Sequence, residues 1–310
     1  MTRINSPGPL QWFALLALVV MWGTRFYAVE LALVSFSPLD IVFLQLAVSA
    51  TVLWVVMAAS GLALPRDLKT WAYFNAMAVV GNGLPFFLES WGQVYITSSL
   101  AGILLSVSPL SVLLLAHWFL PDEPASPKQS VAFVVGLAGV IVLIGPDALL
   151  AIGGDLTQIV AQLAVLGAAV CYGLAAVITR LAPLHPPRVI AAGVLLAAAL
   201  QILPIWLWQG GMPPLADVEL SAILAVVGIG LFCTALAALV FFYLILHSGA
   251  AFQSLSNYLL PVWAVLVGFT LLDESLPANA IIGMVLILVA LWLTRVRKTD
   301  RNEVSAAERV

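Results

Sequence analysis

Residues 11–34 read QWFALLALVVMWGTRFYAVELALV, and this stretch decides the fold. Its only charged side chains are Arg25 and Glu30, set among mostly apolar residues. A helix crossing the hydrocarbon of a bilayer needs about 20 such residues, whereas a helix on a soluble domain keeps a polar face. The stretch therefore predicts a membrane-crossing helix. Arg3 is the only charged residue ahead of it and no small-residue cleavage site is evident, so it reads as a retained first span rather than a signal peptide.

The rest of the chain repeats that composition. Of 310 residues 63% are hydrophobic and 9% charged, with a mean hydropathy of +1.11, whereas a soluble domain is roughly 25% charged. Apolar runs bounded by Pro, Gly or charge place helices at 11–34, 38–61, 70–94, 98–119 and 128–146, then at 156–182, 187–209, 218–246, 251–272 and 276–296. Ser37-Pro38, Pro186-Pro187 and Pro213-Pro214 mark boundaries, because proline rarely continues a helix. The expectation is an all-α integral membrane protein with ten transmembrane helices and a polar cytoplasmic tail at 297–310.

The basic residues orient the bundle. Arg66 and Lys69 follow the second predicted helix, Lys128 the fourth, Arg180 and Arg188 flank the loop after the sixth, and Arg295, Arg297, Lys298, Arg301 and Arg309 follow the tenth. The loops after the odd-numbered helices carry no Lys or Arg. Positive charge is retained on the cytoplasmic side, so both termini are expected there, in a bacterial-type inner membrane. Trp12, Trp71, Trp118, Trp206, Trp208 and Trp292 fall near helix ends, where amphipathic rings sit at the bilayer interface.

Several classes are excluded. A formal charge of -3 without a basic stripe gives nucleic acid no footprint. Cys171 and Cys233 lie in apolar runs without CxxC spacing, which supports neither a metal site nor a disulfide. No Walker phosphate loop, HExxH or GxSxG motif is present, so neither an enzyme nor a cofactor is expected.

Sliding the chain on itself by about 150 residues sets Trp22-Gly23 on Tyr172-Gly173 and Asp122-Glu123 on Asp273-Glu274. Pro109 then falls near Pro261, and Ala132 and Gly139 fall near Gly283 and Ala290. A five-helix unit holds an odd number of crossings, so its second copy must enter from the opposite side. The expected units, 11–146 and 156–296, are therefore inverted repeats, the architecture in which secondary transporters rock two halves about a central site.

In this order, Met21-Trp22-Gly23-Thr24-Arg25-Phe26, Ser37-Pro38-Leu39, Ser108-Pro109-Leu110 and Leu259-Leu260-Pro261-Val262 with Leu272-Asp273-Glu274 resemble the drug/metabolite transporter superfamily, in particular its EamA-type members. The resemblance covers roughly residues 11–296 and implies export or exchange of small metabolites, often amino acids or related amphiphiles, without ATP hydrolysis. Arg25 stands where that family often has Asn, Glu30 where it often has Lys, and Gln45 where it often has Arg. A charge has moved between helices, so no member's substrate carries over.

A charge near the bilayer centre costs at least about 2.5 kcal/mol on insertion scales, so it faces a partner or a wet cavity. Arg25 is the leading candidate. Glu30 lies about 140° round the same helix, which leaves Glu89 as the better partner and Gln45 as a neutral neighbour. The pair either locks helices together or contacts solute, with Glu89 able to carry a coupling proton. Gly81-Asn82-Gly83-Leu84-Pro85 interrupts the third helix ahead of Glu89, as a packed kink or as a wall of a polar site. Gln253 and Asn257, four apart on the ninth helix, share a face for hydrogen bonding or for a pocket. Trp22 and Tyr172, related by the repeat, pack or close on a solute. His117, His185 and His247 read as interfacial residues, and Asp122-Glu123 and Asp273-Glu274 as caps of the helices that follow them.

The partners expected are thus a small-molecule solute, the lipid bilayer and protons as coupling ion, with the chain a monomer or homodimer. A lipid flippase on the same architecture is the alternative.

Overall fold

The computed structural model describes residues 8–119, 127–144 and 156–293, and no strand occurs among them. The first half begins with α1 (Pro9–Leu33) and α2 (Pro38–Ala59). A third segment runs from α3 (Leu68–Ala78) through a π-helical stretch, Val79–Gly83, into α4 (Leu84–Gly92). Then come α5 (Ser98–Leu105), α6 (Ser108–Phe119) and α7 (Pro127–Ile144). The second half holds α8 (Leu156–Ile178) and α9 (Pro187–Trp208), then α10 (Leu220–Gly228) leading through a π-helical stretch, Ile229–Leu236, into α11 (Ala237–Ser248). A single turn, α12 (Ala250–Gln253), precedes α13 (Ser256–Leu271) and α14 (Ala278–Leu293).

Six of these helical stretches are long and apolar enough to cross a membrane, and shorter apolar helices cover 130–143, 256–271 and 278–293. Their outer faces are apolar: Leu10, Phe13, Leu16 and Val20 of α1 are all exposed. Such a stripe would be left open to water in a soluble protein and is matched by lipid here. Trp12, Trp118, Trp208 and Trp292 are likewise exposed near helix ends.

Local chemistry fixes the helix starts. Ser37 and Asp40 form a reciprocal capping box at α2, with Ser37 N–H donating to Asp40 Oδ2 at 2.8 Å, and Pro38 occupies the first turn, where no N–H is required. Asp67 caps α3 by accepting from Thr70 N–H at 2.8 Å, and that bond holds its carboxyl below the usual range.

The loops sort to two ends. Arg188 Nη1 donates to Ser60 Oγ at 3.0 Å, and the ring of His185 lies 3.4 Å from Thr70 Oγ1, which gathers the loops holding Arg66, Lys69 and Arg180 at one end. At the other, Glu219 N–H donates to Ser35 Oγ at 3.1 Å.

Segments about 150 residues apart share irregularities. Both π-helical stretches interrupt corresponding helices, and α5/α6 and α12/α13 break at Ser106-Val107 and Ser254-Leu255. The spans expected at 98–119 and 251–272 therefore each carry a two-residue turn, and Ser98–Phe119 is still one stretch of membrane-crossing length. In the first, the Pro109 ring excludes a helical carbonyl at Leu105, where α5 ends. The packing pairs correspond as well: α1 lies on α13 and α10, α8 lies on α6 and α4, α2 packs on α9, and α7 on α14. A Cβ on Gly23 would collide with the Trp263 ring of α13, and one on Gly173 would sit 2.9 Å from the Ser111 backbone of α6. Small residues thus let backbones approach where lipid gives helices no hydrophobic reason to associate. Asp122-Glu123, Asp147, the Lys128 side chain and the basic residues beyond 293 lie outside the described residues.

Candidate functional site

Arg25 and Glu89 are 6% and 1% exposed, and they meet in the bundle interior. Arg25 Nη1 donates to Glu89 Oε2. The other carboxylate oxygen, Oε1, accepts from the Tyr172 hydroxyl at 2.7 Å. The Phe86 ring lies under the guanidinium, 4.8 Å from ring centre to Cζ, which adds a cation–π contact between two buried side chains. The cluster draws on α1, α4 and α8, so both halves of the chain build it.

The π-helical stretch explains how Glu89 reaches this position. Leu84 N–H bonds to Val79 O, five residues back, and the extra residue in the turn rotates α4 by about 100° relative to a continuation of α3. Asn82 serves that distortion: its Nδ2 donates to Met77 O at 3.2 Å. It therefore satisfies its own helix instead of joining the Arg25 cluster.

The guanidinium is half used. Arg25 Nε and Nη2 are buried without a hydrogen-bond partner. These two nitrogens form one edge of the fork, the edge that takes a carboxylate with two parallel hydrogen bonds. Gln45 is fully buried, and both atoms of its amide also lack partners. Buried polar atoms in folded proteins almost always bond to something, so this many unused donors in one bundle interior implies polar company.

The remaining candidates disperse. Trp22 packs against Phe241 with ring centres 5.7 Å apart. Gln253 donates to Ser256 Oγ at 3.1 Å across the turn at Ser254-Leu255, and Asn257 is half-buried. His247 lies against the Tyr243 carbonyl at 2.9 Å, a local contact at the end of α11.

Sequence reasoning missed a second polar group. Glu274 caps not the helix that follows it but α5: it accepts from Ser98 N–H at 2.8 Å, Ser98 hydroxyl at 2.9 Å and Ser99 N–H at 3.0 Å. Thr97-Ser98-Ser99 signals a helix start, but no local pattern could name a capping partner so distant in sequence. Gln93, at the end of α4, donates through Nε2 to Phe26 O at 2.8 Å. Another tie, Trp263 Nε1 to Thr24 Oγ1 at 3.0 Å, joins α13 to α1.

The profile of the EamA-like transporter family matches residues 10–145 and 159–296. An uncharacterised transporter of Archaeoglobus fulgidus is 24% identical, covering 93% of this chain and 99% of its own length. A protein of Streptantibioticus cattleyicolor named "Probable terminal-alkyne amino-acid exporter" is 26% identical over 94% of this chain and 95% of its own. The uncharacterised inner membrane transporter YedA of Escherichia coli is 26% identical, with coverages of 92% and 90%. A solved crystal structure with a TM-score of 0.65 and 21% identity covers 93% of this chain and 96% of its own, which shows a shared fold.

Proposed function

Because the chain belongs to the EamA-like transporter family, we propose that this multi-pass membrane transporter is a secondary-active carrier of a small metabolite bearing a carboxylate, with Arg25 as the group that recognises it. The observation that carries this reading is the unused Nε and Nη2 edge of a buried guanidinium whose other side is held by Glu89. In the empty site Glu89 balances a charge that cannot lose its proton at physiological pH. A solute carboxylate takes the free edge, and Glu89 then yields or carries a coupling proton. The name of the Streptantibioticus relative supports an amino-acid-like solute.

The reading includes ten membrane crossings in two inverted repeats, 11–146 and 156–296, both termini in the cytoplasm, and an export or exchange role. Matching π-helical stretches, matching breaks and matching packing pairs support the repeats. Arg66, Lys69, Arg180 and Arg188 at one end of the bundle support the orientation.

The test is counterflow of a panel of labelled amino acids in ATP-free proteoliposomes, with lipid scrambling followed in the same vesicles. Arg25→Gln should insert correctly and lose counterflow, and Arg25→Gln with Glu89→Gln should stay inactive. A fully active double variant would make the pair purely structural. Scrambling without counterflow would make the protein a flippase.

A further inference from the structure

At the end of the bundle away from the basic loops, an open recess of about 300 Å³ lies between α1, the end of α4 and the turn joining α13 to α14. Glu30, Gln93, Tyr95, Thr97 and Glu274 give it its polar lining, and no Lys, Arg or His takes part. We infer that this recess is a second subsite on the solute's route and that it takes a primary ammonium group. The inference rests on the reading of Arg25 as the central solute site.

Two acceptors there are unused. Glu30 Oε2 is buried without a partner. Gln93 is 3% exposed, and the Phe26 carbonyl can accept only from its nitrogen, so the amide orientation is fixed and Oε1 is left unpartnered at the recess. Glu274 spends its carboxylate on the start of α5, yet its charge stays in the lining. Two carboxylates and an amide oxygen, with no cation among the lining residues, suit a group that carries one positive charge and three N–H donors. A metal ion fits less well, since no group of three or more His, Cys, Asp or Glu side chains that could hold one occurs among the described residues.

The location ties the recess to the central cluster. Glu30 lies about 7.5 Å beyond Arg25 along α1, and Gln93 one turn beyond Glu89 at the end of α4. Gln93 thus continues the Glu89 side of α4 toward the loop end, while Glu30 sits about 140° round α1 from Arg25 at that same end. A solute with both an amine and a carboxylate can hold its ammonium group in the recess while it passes to or from Arg25.

The full chain in nanodiscs, titrated with n-butylammonium and followed by thermal unfolding, tests the inference without transport. Wild type should show a saturable upward shift, Glu30→Gln should need at least about tenfold more ligand, as loss of one charged hydrogen bond implies, and butan-1-ol should have no such effect. Arg25→Gln should respond as wild type does, which separates this subsite from the central one. Equal half-saturation in Glu30→Gln, an equal shift from butan-1-ol, or no saturable response would overturn it. Should Glu30→Gln fail to fold, carbodiimide labelling of Glu30 in wild type, read by peptide mass spectrometry, decides: n-butylammonium should slow it, and unslowed labelling would overturn the inference.

Discussion

Replacing Arg25 and Glu89 singly and together should show an asymmetry that follows from their chemistry. Arg25→Gln strands the Glu89 carboxylate, which is 1% exposed and keeps only the Tyr172 hydroxyl as a donor. A stranded carboxylate can escape by taking a proton, and for an ordinary glutamate at neutral pH that costs about 4 kcal/mol, which caps the loss. Glu89→Gln strands the guanidinium, which has no such escape because it stays protonated at any accessible pH. Breaking a buried pair typically costs about 3–5 kcal/mol, and Glu89→Gln should fall at or above the top of that range. With both residues changed to Gln no charge remains, so the double variant should lose less than the sum of the two single losses, by a coupling energy of about 3 kcal/mol. Reversible unfolding in mixed micelles by a denaturing detergent measures all four proteins on one scale. Losses that add to within about 0.5 kcal/mol would refute the argument, because independent sites behave that way. A larger loss for Arg25→Gln than for Glu89→Gln would refute the asymmetry.

Cysteines placed at Lys69 and Arg188, in a background lacking Cys171 and Cys233, should react with an impermeant reagent only from the cytoplasmic side, and those at Asp217 and Ser275 only from the opposite side; the reverse pattern would overturn the orientation. Glu274→Ala removes the acceptor for the Ser98 and Ser99 N–H groups and should destabilise the protein by about 1 kcal/mol, read in the same unfolding assay. Gly283→Ala puts a Cβ 2.6 Å from Leu143 Cβ where α7 and α14 cross, and should cost about 1–3 kcal/mol, whereas Gly228→Ala, with open space around it, should cost nothing measurable.

The apolar runs determined the helices, because in lipid every backbone group must bond within its own segment and a span announces itself by length and composition. Most observed helix ends fall within two or three residues of those read from Pro, Gly and charge, such as Pro38–Ala59 and Pro187–Trp208. Arg25 and Glu89 were legible for the same reason: a charge inside a span must find a partner, and few partners were on offer. The four-residue spacing pairs Gln253 with Asn257, whereas the bond the structure shows runs from Gln253 to Ser256 across the turn at Ser254-Leu255. Asn82 marked the irregular turn correctly, but which carbonyl that turn would leave for it to bond emerged only from the π-helical geometry. In sequence Tyr172 is a repeat-related aromatic, and its bond to Glu89 depends on how α8 packs on α4. Glu274 is the clearest case: as a local cap it would serve α14, and the tertiary fold gives it to α5. Local sequence specifies what a helix is and where it stops, because those forces act within a few residues. Which face meets which, and hence which buried polar atoms remain unused, is settled by close packing between helices far apart in the chain.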